Sequence, residues 1–121
     1  MITTVKTGKK GEDLACDFLK KQGYKIIERN FRIRGGEIDI IAQDGNTLVY
    51  VEVKTRTSHQ FGYPEEAVTR WKLRFLERAA KYYRNNRKYI NLPALERIDV
   101  VVVDLAGQGS PALKLIKNAG F

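Results

Sequence analysis

The sequence is poor in the residues on which most site chemistry is built. It holds one cysteine, Cys16, and one histidine, His59. A lone cysteine cannot close an intramolecular disulfide, which excludes the small stapled secreted domains. Beside Ala15 and Leu19, Cys16 reads as a small buried apolar residue. His59 stands in a polar loop without a partner at metal-ligand spacing. There is no zinc-type cysteine cluster, no Ser/His/Asp triad and no glycine loop of the phosphate-binding kind. No stretch approaches the roughly 18–20 consecutive apolar residues of a membrane span, and Met1 to Gly8 lacks the apolar centre of a signal peptide. The expected compartment is therefore the cytoplasm, with no membrane partner. Internal repeats, low-complexity tracts and linkers are absent too.

What remains is a basic α/β pattern. A chain of 121 residues with 43% apolar content fits one domain, 1–121, with a packed core. The 22 basic residues exceed the 14 acidic ones, for a net charge of +8. That imbalance suits a polyanion, either nucleic acid or an anionic membrane surface, and equally a solvated basic face. A first helix is expected from about Gly8 to Gln22, stopped by Gly23, with Leu14, Ala15, Phe18 and Leu19 as its apolar stripe. Strands follow at Tyr24–Arg34, Glu37–Ala42 and Leu48–Thr55, the first two joined by a Gly35-Gly36 turn and the next two through Asp44-Gly45-Asn46. After a loop from Arg56 to Tyr63, Pro64 opens a second helix that reaches Asn85, with Val68, Trp71, Phe75, Leu76 and Ala79 facing inward. Ile98–Val103 reads as a strand buried on both faces, and Leu113–Ile116 as a short final one. The order α-β-β-β-α-β, then a small β, predicts a mixed central sheet flanked by helices.

The acids of the central strands carry the chemistry. Alternation puts Glu37, Asp39 and Ile41 on one face of their strand, and Leu48, Tyr50, Glu52 and Lys54 on one face of the next. With a two- or four-residue connection, Glu37 lies opposite Glu52 and Asp39 opposite Tyr50, and both sets share a face; a three-residue connection separates them. The other face then reads Ile38, Ile40, Ala42, Val49, Val51 and Val53. Gathered carboxylates repel one another, and a hard divalent cation such as Mg²⁺ compensates them. Cross-strand ion pairs, Arg34 with Glu37 and Arg32 with Asp39, are the alternative. Lys54 points the same way as Glu52, where it can orient or deprotonate a water and stabilise charge developing on a phosphate.

The segments Gly36-Glu37-Ile38-Asp39-Ile40-Ile41-Ala42 and Val51-Glu52-Val53-Lys54-Thr55-Arg56 carry a resemblance. With Gly11-Glu12, Arg29-Asn30-Phe31-Arg32, Phe61-Gly62 and Arg97-Ile98-Asp99-Val100-Val101, they are similar to the bacterial YraN-like family. Asp39 followed by Glu52-Val53-Lys54 also resembles the PD-(D/E)XK nuclease signature, with Ile38 where that motif is named for proline. This likeness implies a restriction-endonuclease-like αβββαβ core akin to Holliday-junction resolvases. It implies DNA phosphodiester hydrolysis, on branched or damaged DNA, with Mg²⁺ or Mn²⁺ at Asp39 and Glu52. It further implies catalytic roles for Asp39, Glu52, Lys54 and Glu12, and a homodimer acting on two strands. The tail departs from the family pattern in placing Gly120 between Ala119 and Phe121.

Arg56, Arg70, Lys72, Arg74 and Arg78, together with Lys9, Lys10 and Lys81, are candidate phosphate contacts or a solvated surface. Lys72, between Val68 and Leu76 at helical spacing, either reaches the scissile phosphate or snorkels to solvent. Glu12 borders the packed face of the first helix, as a site residue or as an acid favoured by the helix dipole. Tyr82, Tyr83 and Tyr89 read as packing residues. A metal-dependent endonuclease, a non-catalytic nucleic-acid-binding module and a protein-interaction domain all remain open on this pattern.

Overall fold

The computed structural model describes residues 4–58, 69–107 and 109–119. Its elements are α1 (Thr4–Lys21), β1 (Lys25–Ile33), β2 (Gly36–Asp44), β3 (Thr47–Arg56), α2 (Arg70–Asn85), β4 (Leu95–Asp104) and β5 (Ala112–Ile116). This is the expected mixed α/β order, consistent with an αβββαβ core of the restriction-endonuclease-like kind. The strands run β1-β2-β3-β4-β5 across one sheet. β3 and β4 are parallel, joined through α2, and the other neighbours are antiparallel. No helix among the described residues is long and apolar enough to cross a membrane.

Each face of the sheet has its own core. On one, α1 lays Ala15, Cys16 and Leu19 on Ile40, Ala42, Val49, Val51, Val101 and Val103. On the other, α2 lays Phe75, Leu76, Ala79, Ala80 and Tyr83 on Ile38, Ile41, Leu48, Tyr50 and Ile98. Gly23, at φ 93°, ends α1 in the left-handed conformation expected of it. Gly11 lets α1 settle on β3, since a Cβ there would stand 1.9 Å from Thr55 Oγ1. α2 is capped by Thr69, whose side chain accepts from the Lys72 N–H at 3.1 Å. Pro64, Val68 and His59, and the tail residues Gly120 and Phe121, lie outside the described residues. Trp71 does not face inward as its spacing suggested. It is 67% exposed, because the buried stripe runs through Phe75, Leu76, Ala79, Ala80 and Tyr83 and leaves the indole on its flank.

Both hairpins shift the expected registers. β1 turns through Arg34-Gly35, so Ile33 pairs with Gly36 and Arg32 with Glu37. Gly35 supplies the positive φ, 99°, that the turn needs. β2 and β3 are joined by two residues, and Ile41 rather than Asp39 pairs with Tyr50. That register brings Asp39 level with Glu52.

A second departure shapes the site. Ile40 belongs to the α1 core and Ile38 to the α2 core, although regular alternation puts both on one face. β1 changes face at the same level. Arg29, opposite Ile40, pairs with acids of α1, whereas Phe31, opposite Ile38, packs on the α2 side. Asn30 between them holds φ 54°, a conformation asparagine tolerates better than most residues. The β2–β3 pairing ends at Ile40↔Val51, and the next free N–H, on Val53, is taken by the Asp39 carboxylate at 2.8 Å. β3 itself alternates regularly, so Glu52 and Lys54 stay on the Tyr50 side.

Candidate metal centre

Asp39 sits where β2 leaves β3, with acids on both sides. Toward α1, carboxylate oxygens of Glu12, Glu37 and Asp39 all lie within 4.8 Å of one another. Gly11 lets Glu12 approach the sheet, and the face change of β2 turns Glu37 away from Glu52 and toward Glu12. Toward α2, Glu52 is only 4% exposed. Its Oε1 lies 3.6 Å from Lys54 Nζ and its Oε2 3.4 Å from Lys72 Nζ. Despite that ion pair, Glu52 Oε2 is a buried acceptor without a hydrogen bond. Lys72 thus reaches the site by its full length, while its ammonium also stands 5.4 Å from the Phe75 ring centroid.

The charges are unbalanced. Burial pushes the Asp39 carboxyl up to about 8, and the Glu52 and Glu12 charges add to that, against the Val53 N–H and Lys72, which favour ionisation. Glu12 is raised for the same reasons, burial first and Glu37 second. Compensation comes from the rim. Arg29 lies 3.8 Å from Glu12 and 2.8 Å from Asp13, and the exposed Arg32 donates to Glu37 at 3.0 Å. The cross-strand pair is therefore Arg32–Glu37, not Arg32 with Asp39. An open cleft of about 580 Å³ runs alongside, bounded by Gly8, Lys9, Glu12, Arg29, Asn30, Arg32 and Glu37.

These residues fit a hard divalent cation. The donors are all carboxylate oxygens, and octahedral ligands at about 2.1 Å stand about 3–4 Å from one another, within the span of the cluster. A buried, unbonded Glu52 oxygen beside it is the kind of acceptor a cation or its waters satisfies. Glu12, Glu37 and Asp39 would hold the ion, with Glu52 adjoining. Of the expected site residues, the fold brings Glu12, Asp39, Glu52, Lys54 and Lys72 together. Arg70, Arg74 and Arg78 lie on the exposed face of α2. Arg56 ends β3 and is half-buried, its backbone carbonyl accepting from Leu105.

A second buried acid was not singled out in the sequence. Asp99, 0% exposed, lies in β4 on the α1 side. Its Oδ1 accepts from Arg97 Nε at 2.8 Å and the Asn118 N–H at 3.0 Å, and its Oδ2 from Tyr24 Oη at 2.7 Å and Arg97 Nη2 at 3.0 Å. Arg97 also donates to Asp44 at 2.8 Å. The signal was present in Ile98-Asp99-Val100, an acid within a run apolar on both faces, which must be paired to be buried.

The family model described as "Uncharacterised protein family UPF0102" matches residues 11–103, a span that contains every residue of the centre. A UPF0102 protein of Caldicellulosiruptor saccharolyticus is 50% identical over 113 residues, 93% of this chain and 94% of its own length. One of Geobacter metallireducens is 49% identical over 112 residues, 93% and 89% of the two chains. One of Renibacterium salmoninarum is 40% identical over 120 residues, 99% of this chain and all of its own. The YraN-like resemblance holds at this level, and the chain belongs to the UPF0102 family.

Proposed function

We propose that the protein is a divalent-metal-dependent endonuclease of the PD-(D/E)XK kind, hydrolysing DNA phosphodiesters in the cytoplasm, with Mg²⁺ or Mn²⁺ as its cofactor. The observation that carries this reading is the meeting of four acids with two lysines at the parting of β2 and β3. Glu12, Glu37 and Asp39 supply oxygens on one side, while Glu52 holds Lys54 and Lys72 on the other. The cation would supply Lewis acidity toward a phosphodiester oxygen and neutralise the carboxylates. Lys54, fixed by Glu52, positions a cationic donor where charge develops on the phosphate, or where a water must lose a proton. Lys72 adds a second charge from α2. The net charge of +8 favours approach of a polyanion, and a symmetric dimer would present two such centres to two strands.

Arg32 on Glu37 and Arg29 on Glu12 and Asp13 support a second reading, a charge-paired binding module without catalysis. Calorimetry with Mn²⁺ and cleavage of linear, single-stranded, flapped and four-way-junction DNA separate the two. Asp39→Asn and Glu52→Gln should weaken ion binding and cleavage together. Lys54→Ala removes a positive charge and no ligand, so ion affinity should hold or rise while cleavage falls about 100-fold or more. If Lys54→Ala cuts as fast as the parent, the lysine has no chemical role; a parent that binds no ion leaves the module reading.

A further inference from the structure

α2 presents to solvent a face that the centre itself does not use. Arg70, Arg74 and Arg78 recur every four residues and are all exposed, so they form a basic stripe slanting across the helix. Trp71 adjoins that stripe, one residue after Arg70 and three before Arg74. Its indole is 67% exposed and is backed by the Phe75 ring, which lies nearly parallel, 17° between planes with centroids 6.4 Å apart. Phe75 is in turn buttressed, with Lys72 Nζ and the Arg78 guanidinium each 5.4 Å from its centroid. The same Lys72 ammonium reaches Glu52 at 3.4 Å. The indole is thus held by a buried ring at the end of α2 that also supplies the centre.

We infer that this face of α2 binds single-stranded DNA, with Trp71 as the platform on which an unpaired base stacks and the three arginines following the phosphates. The inference deepens the nuclease reading and rests on it for the choice of DNA as the polyanion. A held aromatic ring beside arginines is the arrangement that grips single strands, because every unpaired base offers a π face while a continuous duplex keeps its bases stacked on each other. Arginines alone would contact phosphates in either form. The centre is then fed by DNA with an unpaired stretch, such as a flap, a gap or a frayed end, in preference to continuous duplex.

Trp71 is the one tryptophan of the chain, so its emission reports on this face alone. The experiment titrates the full chain, in EDTA, with a short oligothymidylate, with a mixed-sequence duplex of equal length and with an oligouridylate, followed by intrinsic fluorescence and by anisotropy of end-labelled strands. Oligothymidylate should quench Trp71, and the duplex should bind through its phosphates without quenching. Trp71→Ala should weaken oligothymidylate binding about tenfold and leave duplex binding unchanged, and Trp71→Phe should restore most of the loss. Circular dichroism of both variants should match the parent, since the indole is exposed. The inference falls if the parent binds no oligothymidylate, if it binds without quenching, if duplex quenches equally, if oligouridylate alone quenches, or if Trp71→Ala binds as the parent does. Neither hydrolysis nor a cation enters the measurement, and Asp39→Asn should quench as the parent does. Quenching without cleavage therefore counts against the proposed activity, and cleavage without quenching against this surface.

Discussion

Asp39, half-buried where β2 parts from β3, and Asp99, fully buried in β4, are treated by the protein in opposite ways. Asp99 receives four hydrogen bonds, from Tyr24, from two nitrogens of Arg97 and from the Asn118 backbone, at 2.7–3.0 Å. Arg97 carries a matching charge and is itself anchored to Asp44. Burial and the hydrogen bond to Asp99 raise the Tyr24 hydroxyl, so it stays protonated as a donor. Asp39 receives one bond, from the Val53 N–H, and has Glu12, Glu37 and Glu52 for neighbours. One carboxylate closes the fold, tying the end of α1, β2, β4 and the chain after β5. The other is left wanting positive charge. A buried acid with its bonds complete is structure, while a half-buried acid among acids is where the proposed cation would bind.

The largest expected consequence falls on the closed region. Asp99→Asn strips the charge that faces Arg97 and turns an amide toward donors, so unfolding by denaturant should show a loss of about 3 kcal/mol or more. A loss under about 1 kcal/mol would mean that the Asp99 network is as dispensable as a surface pair, and the contrast would break there.

A smaller effect sharpens the open region. Asp39 ionises near pH 4 in the unfolded chain but only near 8 in the fold. Between those values the folded state holds the proton more tightly. Its contribution to stability is therefore fully present below about pH 4 and is lost as pH rises through the window to about 8. Within that window stability should decline with pH at up to about 1.4 kcal/mol per unit, and Asp39→Asn should remove that share of the slope. Because a cation needs the carboxylate, apparent Mn²⁺ affinity should climb over the same range and level off above it. Denaturant titrations and calorimetry from pH 5 to 9 check both signs; profiles of parent and variant that coincide would contradict the account.

How far the site was legible follows from the same geometry. The order of elements along the chain, the two helices and the candidates Asp39, Glu52, Lys54 and Lys72 were readable, because alternation and helical spacing are local properties, and Glu12 joined them through the family resemblance. The partnership of Glu37 with Glu12 was not. It depends on the change of face at Asn30 and Asp39, and a positive φ at an asparagine leaves no periodic trace. The turn slipped by one residue because Gly35 and Gly36 both accept unusual dihedrals, and the structure uses Gly36 instead to pass Phe75, where a Cβ would stand 2.9 Å from Cζ. Trp71 was placed inside because apolar spacing marks a stripe without marking its edge. Asp99 was hidden among valines, and its partners Tyr24, Arg97 and Asn118 meet only in the fold.

The central claim is that Asp39 belongs to a cation site and not to the framework. Thermal unfolding of the parent and Asp39→Asn at pH 7, each with and without millimolar Mn²⁺, tests it most directly. Without the ion the variant should melt at or above the parent's temperature, because the amide is neutral without the proton that the folded Asp39 must take up at this pH. With the ion the parent should rise by several degrees and the variant should not. A parent unmoved by Mn²⁺, together with a variant as unstable as Asp99→Asn, would show that Asp39 is held in place by the fold and that the account of the centre is wrong.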